Sequence, residues 1–187
     1  ADPYNNIAGI YAQKKNYTEA INCFKKAILI NPNLSEAHYN MGNSLFEVQK
    51  YNEAISSYNR AIKINPNYAN AYNNLGNVFK ALNDLTNAIN CYEKTIKIDD
   101  NNFNAYNNLS FLYCDIGKIE NAYKCFEKLS KLKPDNILYK INNALLLMPM
   151  YKSAKEIDIY RNKFLEGLKL IEKYNYNSDQ PGNEIEL

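Results

Sequence analysis

The chain has 187 residues, of which 46% are hydrophobic and 22% are charged, an ordinary balance for a folded domain. Its net charge of +2 gives no indication of a nucleic-acid partner or of an anionic membrane surface. No apolar run approaches the roughly 18 residues that a membrane-spanning helix requires. The chain is rich in asparagine, with 32 residues, and in tyrosine, with 17. Asparagine is a poor helix former, so helices in this chain must be stabilised by packing rather than by propensity.

A period of 34 residues runs through the first 136 residues. When positions are counted from the start of each repeat, position 7 is large and apolar and position 8 is small. These two columns are Ile7, Met41, Leu75 and Leu109, followed by Ala8, Gly42, Gly76 and Ser110. Position 20 is always Ala, position 24 is always Phe or Tyr, and Pro closes three repeats at position 32. We therefore predict four full repeats, at residues 1–34, 35–68, 69–102 and 103–136.

Each repeat has the spacing of two amphipathic helices. Large residues at positions 4, 7 and 11 form one stripe, and those at positions 20, 24 and 27 form a second. The small residues at positions 8 and 20 allow two helix backbones to approach closely. Thr18, Asn52 and Thr86 are the predicted N-caps of the second helices.

Residues 137–174 depart from the pattern and predict a partial fifth repeat followed by a capping helix. The first helix is expected over Ile137–Leu147, with a break at Met148–Met150. Ser153 and Glu156 have the spacing of a capping box at the start of the second helix. Residues 175–187 are polar and are expected to form a flexible tail. Because residue 1 is in phase with position 1 and no polar helix precedes it, we expect the chain to be cut from a longer array.

These columns resemble the signature of the tetratricopeptide repeat (TPR), an aromatic residue followed by Leu-Gly, Tyr, Ala, Phe, Ala and Pro at the same spacing. The resemblance covers residues 1–136. It implies an all-α fold, a right-handed TPR superhelix or α-solenoid, whose concave surface is formed by the first helix of each repeat and binds partners.

The sequence contains no indication of catalysis, of a cofactor or of a metal site. No phosphate-binding loop or nucleophile motif is present, and His38, the single histidine, lies in the core-facing column at position 4. The four cysteines form no CxxC pair. They are expected to be free thiols of an intracellular, cytoplasmic protein in a reducing environment.

The candidate binding residues lie on the first helices, outside the core stripe. Position 6 is asparagine in every repeat and in the partial fifth: Asn6, Asn40, Asn74, Asn108 and Asn142. The neighbouring positions 5 and 9 add amides and one aromatic ring: Asn5, Tyr39, Asn73, Asn107, Asn43 and Asn77. A carboxamide can pair with both the N–H and the C=O of a peptide bond, so such a column would hold an extended polypeptide through its backbone. The competing interpretation is that an asparagine-rich chain aligns some asparagines by composition and duplication alone.

The asparagine column resembles, more narrowly, the repeats of O-linked N-acetylglucosamine transferases. In that family an asparagine ladder holds substrate polypeptide, which implies this role for the position-6 residues. Residues 144–168 are similar to the segment that joins repeats to the glycosyltransferase domain in bacterial relatives. The catalytic domain is absent, so the resemblance implies the substrate-binding region only.

Two other classes of interaction module share this fold. A chaperone adaptor that clamps a C-terminal carboxylate needs Lys or Arg at positions 2, 5 or 6, and position 2 here holds Asp2, Glu36, Asn70 and Asn104. That class is disfavoured. A generic assembly scaffold could bind a partner helix through Tyr39 and Phe111. The exposed ends of the repeat array could also support oligomers.

Overall fold

The computed structural model describes residues 3–145 and 154–178, which form ten α-helices and no strand. The first eight are α1 (Pro3–Gln13), α2 (Tyr17–Ile30), α3 (Ser35–Glu47), α4 (Tyr51–Ile64), α5 (Ala69–Ala81), α6 (Leu85–Ile98), α7 (Phe103–Asp115) and α8 (Ile119–Leu132). They are followed by α9 (Ile137–Leu145) and α10 (Ala154–Ser178). The helices belong to two compact bodies, one ending at Ala105 and the other beginning at Tyr106. The prediction of an all-α fold is confirmed.

In the N-terminal body, each first helix packs most extensively against the second helix of its own repeat. The second helices α2 and α4 then pack against α3 and α5, the first helices of the next repeats, and the successive first helices α1, α3 and α5 also touch. The small residues have the predicted purpose: Ala8, Ala20, Ala54 and Ala88 are fully buried at the helix contacts. This arrangement leaves one side of α3 and α5 free to form a shared surface.

A residue in the left-handed region ends the first helix of each repeat at position 15. Lys15, Gln49 and Asn83 have φ of 58°, 58° and 59°, and Gly117 has φ of 73°. The next backbone N–H reaches back five residues to a helix carbonyl, as in Asn16 N to Tyr11 O at 2.9 Å. This hydrogen bond satisfies a carbonyl that the helix end would otherwise leave unpaired.

The predicted N-caps of the second helices are wrong by two residues. Thr18, Asn52 and Thr86 lie inside their helices, which begin at Tyr17, Tyr51 and Leu85. The early turn at position 15 lets the helix start sooner than the caps suggested. Among the residues that precede α2, α4 and α6, only Asp84 accepts a backbone hydrogen bond through its side chain, from Asn87 N at 3.2 Å.

The asparagines beside the closing prolines form local turns. Asn31 Oδ1 accepts from Asn33 N at 3.1 Å, and Asn65 Oδ1 accepts from Asn67 N at the same distance. Asp99 makes the same bond with Asn101 N where the third repeat lacks proline. These amides therefore have a structural purpose.

In the C-terminal body, α8 packs against α9 and α9 against α10. Helix α10 begins 35 residues after α8, within one residue of the place that the 34-residue period assigns to a second helix. The predicted cap thus also keeps the phase of the repeat, although it has 25 residues where α8 has 14. It runs four residues into the segment predicted as a polar tail. The predicted break at 148–150 and the capping-box residue Ser153 lie outside the described residues.

Candidate functional site

A cavity of about 370 Å³ opens between α3 and α5 in the N-terminal body. We call it the α3–α5 cavity. Its lining consists of three amides, two aromatic rings and one carboxylate: Asn43, Asn74, Asn77, Phe46, Tyr58 and Glu47. Three of the six were predicted as binding residues, Asn43 and Asn77 at position 9 and Asn74 at position 6. Phe46, Tyr58 and Glu47 were not.

Asn43 is the centre of a hydrogen-bond network in this cavity. Its Oδ1 accepts from the Tyr58 hydroxyl at 2.8 Å and from Asn74 Nδ2 at 2.8 Å. A carbonyl oxygen has two lone pairs, so both are occupied. The Nδ2 group of Asn43 makes no hydrogen bond within the described part of the chain, and two donors remain for a ligand.

Most of the hydrogen-bonding capacity of the Asn74 side chain is used inside the protein. Its Nδ2 also donates to the Tyr39 hydroxyl at 3.1 Å, and its Oδ1 accepts from Asn73 Nδ2 at 3.2 Å. Both N–H donors of Asn74 are thereby used inside the protein. Only the second lone pair of its Oδ1 is left, so Asn74 can receive a hydrogen bond from a ligand but cannot donate one without breaking the network.

Gly42 makes room for the aromatic ring that reaches Asn43. A Cβ atom added at Gly42 would lie 2.7 Å from Cε1 of Tyr58, and one added at Gly76 would lie 2.6 Å from Cε1 of Tyr92. The third repeat also has the same hydrogen bond, from the Tyr92 hydroxyl to Asn77 Oδ1 at 2.8 Å. Glycine at position 8, asparagine at position 9 and tyrosine at position 24 therefore form one set.

Repeats without this set replace all three residues together. The first repeat has Ala8, Gly9 and Phe24, and the fourth has Ser110, Phe111 and Phe126. In the fourth, the rings of Phe111 and Phe126 meet edge to face, with centroids 5.6 Å apart. Asparagine at position 9 thus occurs only opposite a tyrosine hydroxyl. This joint variation was the sequence signal that could have linked Asn43 to Tyr58.

Burial keeps the tyrosine hydroxyls of the set in their donating form. Burial raises the pKa of Tyr58, the nearby Tyr39 and Glu47 raise it further, and the amide of Asn74 opposes them. The pKa of Tyr92 is also raised by burial. Both phenols therefore remain protonated and donate to their asparagines across the physiological pH range.

Tyr39 is the remaining member of the hydrogen-bond network, and aromatic contacts hold its ring in place. Its ring stacks at a tilt on Tyr68, with centroids 4.9 Å apart, and lies 6.1 Å from the ring of Tyr58. Burial raises the pKa of Tyr68 to about 12, and Tyr39 and Glu36 add to the effect. The aromatic contacts fix the hydroxyl of Tyr39 where Asn74 can reach it.

The remaining predicted residues of the N-terminal body differ in their accessibility. Asn6 is exposed and Asn40 half-buried, and their side chains make no hydrogen bond among the described residues. Asn73 is only 6% exposed, so it supports Asn74 rather than facing a ligand. The Oδ1 atoms of Asn5 and Asn73 are both buried and have no hydrogen-bond partner in the described ranges.

The predicted residues of the C-terminal body are partly used in packing. Asn107 Oδ1 accepts from the Tyr139 hydroxyl at 3.2 Å. Asn108 is half-buried and interacts within the protein, and Asn142 is half-buried. Position 5 in this body therefore ties α7 to α9.

His38 has the packing environment expected from its column. It is 7% exposed, and its Nε2 lies 3.1 Å from the carbonyl oxygen of Pro32. Burial lowers its pKa, an effect that the bond to Pro32 opposes.

Within residues 3–145 and 154–178, no group of three or more His, Cys, Asp or Glu side chains is placed to hold a metal ion. None of the helices in these ranges has both the length and the apolar character needed to cross a bilayer.

The repeats match known family models along most of the helical array. A model described as TPR repeat matches residues 8–49 and 42–83, and models described as tetratricopeptide repeat match residues 69–102 and 91–124. The chain is a tetratricopeptide repeat protein. The TPR solenoid fold inferred from the period is confirmed. No match was found among curated protein sequences.

Solved TPR structures share this fold over nearly the whole chain. The crystal structure of MamA is 24% identical, covers 91% of this chain and 97% of its own, and has a TM-score of 0.72. YrrB, described as a TPR protein with an unusual peptide-binding site, is 19% identical, covers 90% of this chain and 82% of its own, and has a TM-score of 0.68.

A third structure is similar over a shorter range. The first TPR of Spaghetti (RPAP3), bound to the HSP90 peptide SRMEEVD, is 28% identical and covers 61% of this chain and 90% of its own, with a TM-score of 0.59. None of these three structures is described as a glycosyltransferase.

Proposed function

We propose that this TPR protein is a protein-interaction module that binds extended polypeptide in the α3–α5 cavity. The observation that carries the proposal is the orientation of Asn43. Its oxygen is fixed by Tyr58 and Asn74, and its Nδ2 group is left with two donors at a cavity wall. A pre-oriented amide donor pairs with the carbonyl oxygen of a peptide bond without losing side-chain entropy on binding.

The network changes the binding mechanism that a uniform asparagine ladder would imply. Asn74 supports the site, Asn43 supplies the donors, and the second lone pair of Asn74 Oδ1 supplies an acceptor. Asn6 on α1 and Asn40 on α3 belong to the same column of the repeat and would add contacts to the polypeptide beyond the cavity. Each hydrogen bond contributes about 1 kcal/mol net, so a handful of them gives dissociation constants near the millimolar range.

Two of the similar structures support a peptide ligand. YrrB is described as having a peptide-binding site, and the Spaghetti repeat holds a peptide. The peptide of the latter ends in the acidic sequence EEVD. In the present chain no Lys or Arg lines the α3–α5 cavity, so an acidic C-terminus of that kind does not fit it.

A chemical-shift titration of the ¹⁵N-labelled protein with a neutral, end-blocked, extended peptide tests the proposal. The side-chain amide signals of Asn43 and Asn74 should shift together. The double variant Asn43→Gly with Tyr58→Phe copies the residues of the first repeat, and it should weaken binding about fivefold because it removes the donor without stranding a hydroxyl.

Asn90→Ala is the matched control, because this exposed asparagine lies on the second helix α6 and should leave the affinity unchanged. Asn6→Ala with Asn40→Ala tests the rest of the column. Unchanged affinity in the Asn43→Gly/Tyr58→Phe variant, or preferential binding of a helical peptide, would favour the assembly-scaffold alternative.

A narrower form of the proposal is that the cavity presents polypeptide to an O-linked N-acetylglucosamine transferase domain. It is supported only by the asparagine at position 6 of each repeat and by the similarity of residues 144–168. The coding sequence downstream of Leu187 tests it. A glycosyltransferase domain there would support this form, and any other continuation would exclude it.

A further inference from the structure

The α3–α5 cavity contains one formal charge. Among its lining residues, only Glu47 is ionised at neutral pH, and no cationic side chain lines the cavity. Glu47 forms no salt bridge with any residue that the structure describes. The nearby Lys50 is paired with Glu53 at 3.3 Å instead.

Glu47 is the last residue of α3 and is exposed to solvent, with Tyr17 beside it. The pKa of Tyr17 is raised by desolvation and then by the charge of Glu47 and a hydrogen bond to it, which places the Tyr17 phenol against this carboxylate. The charge of Glu47 also raises the pKa of Tyr58. The carboxylate thus has a tyrosine on one side and the cavity on the other, with acceptor capacity remaining.

The other lining groups suit a cation with an apolar stem. The half-buried ring of Phe46 offers apolar surface to the methylene stem of a long side chain. The volume of about 370 Å³ lies at the lower end of the range for ligand sites, which suits one side chain and its adjacent peptide bonds.

We infer that the α3–α5 cavity selects extended polypeptide that carries a lysine or arginine side chain, whose cation pairs with Glu47. This inference rests on the proposed function, since the polypeptide backbone must first lie along Asn43. It adds a specificity that the amides cannot provide, because amides bind any peptide bond.

Three end-blocked peptides that differ only at one central residue test the inference: lysine, acetyl-lysine and glutamate. Acetyl-lysine keeps the stem and removes the charge, and the blocked ends exclude a terminal amine as the source of the cation. At low salt the lysine peptide should bind about two- to fivefold more tightly than the acetyl-lysine peptide, and the glutamate peptide most weakly. At about 0.5 M salt the difference should shrink to less than twofold.

Glu47→Gln should abolish the preference for lysine while retaining the affinity for acetyl-lysine. Glu166→Gln is the control, since this exposed carboxylate lies on α10 and does not line the cavity, and the preference should persist. If Glu47→Gln does not fold, the peptide and salt comparisons on the unaltered protein decide the question alone.

Equal binding of all three peptides, still weakened by the Asn43→Gly/Tyr58→Phe variant, would overturn the charge preference and leave the proposed function standing. Absence of binding by every peptide would overturn both.

Discussion

The Tyr58 hydroxyl, carried by the second helix of its repeat, donates a hydrogen bond of 2.8 Å to Oδ1 of Asn43 on the first helix. The bond crosses the interface between α3 and α4, and the Tyr58 side chain is 1% exposed. The pair stabilises the repeat and also fixes the amide that faces the cavity.

Removing both partners of this pair should cost less than the sum of the two single removals. Tyr58→Phe should lower the free energy of unfolding by about 1 kcal/mol, and Asn43→Ala by about 1–3 kcal/mol because it strands a buried hydroxyl. The double variant should cost about 1 kcal/mol less than the sum of the two. Urea unfolding followed by circular dichroism provides the comparison, and strict additivity would show that the bond contributes nothing.

Gly42 lies at position 8 of its repeat and Gly9 at position 9 of the first repeat. Substitution by alanine should change the stability of the protein in opposite directions at these two sites. Gly42→Ala should destabilise the protein by about 1–2 kcal/mol, because the clash with Tyr58 exceeds the gain in helix propensity. At Gly9 an added Cβ has no neighbour within 4 Å, so Gly9→Ala should stabilise by about 0.5–1 kcal/mol. Thermal unfolding midpoints of the two variants test this, and equal shifts would contradict the close packing at Gly42.

The left-handed residues at position 15 offer a reciprocal test. Gln49→Gly should raise the free energy of unfolding by about 1 kcal/mol, because glycine adopts φ of 58° without steric cost. Gly117→Ala should lower it by a similar amount. Ser56→Gly, an exposed change inside α4, is the control and should destabilise by about 0.5–1 kcal/mol. A destabilising Gln49→Gly would mean that its side chain contributes more than the backbone strain costs.

The buried histidine should make stability depend on pH below neutrality. Burial lowers the pKa of His38 in the folded protein, so the unfolded chain binds the proton more readily. This contribution to stability is complete above the unfolded pKa of about 6.5 and is lost as pH falls through the folded value. His38→Tyr, which places at position 4 the residue that Tyr72 and Tyr106 supply in the next two repeats, should flatten the change in urea midpoint between pH 7 and pH 5. An unchanged slope would assign the pH dependence to other groups.

The fold could be predicted from the sequence because each column is repeated four times. Ala at position 20 and the small residues at position 8 report close helix contacts whatever their neighbours are. The N-caps could not be placed from residue type, since Thr18 and Thr86 are good caps in isolation and the backbone turn at position 15 decides where the helix starts. The geometry of the turn at position 15 therefore outweighs the capping preference of these residues.

The site was only partly predictable for a different reason. The columns brought Asn43, Asn74 and Asn77 to one surface, but they did not show where each amide points. That depends on whether a tyrosine hydroxyl or another amide reaches it first, and Gly42 decides how near Tyr58 can come. Phe46 and Glu47 were missed because positions 12 and 13 vary between repeats. Residues that give one site its specificity need not recur at the 34-residue period, so the period does not reveal them.

The hydrogen bonds of this array have different consequences for its evolution. The set of Gly42, Asn43 and Tyr58 lies within a single repeat, so a gene duplication copies it complete and functional. The bond between Asn74 and Tyr39 instead joins two neighbouring repeats, and shuffling or deleting either one destroys it. This bond therefore constrains the order of the two repeats, in addition to any constraint on the sequence of each. A rearranged array could fold while its cavity is lost.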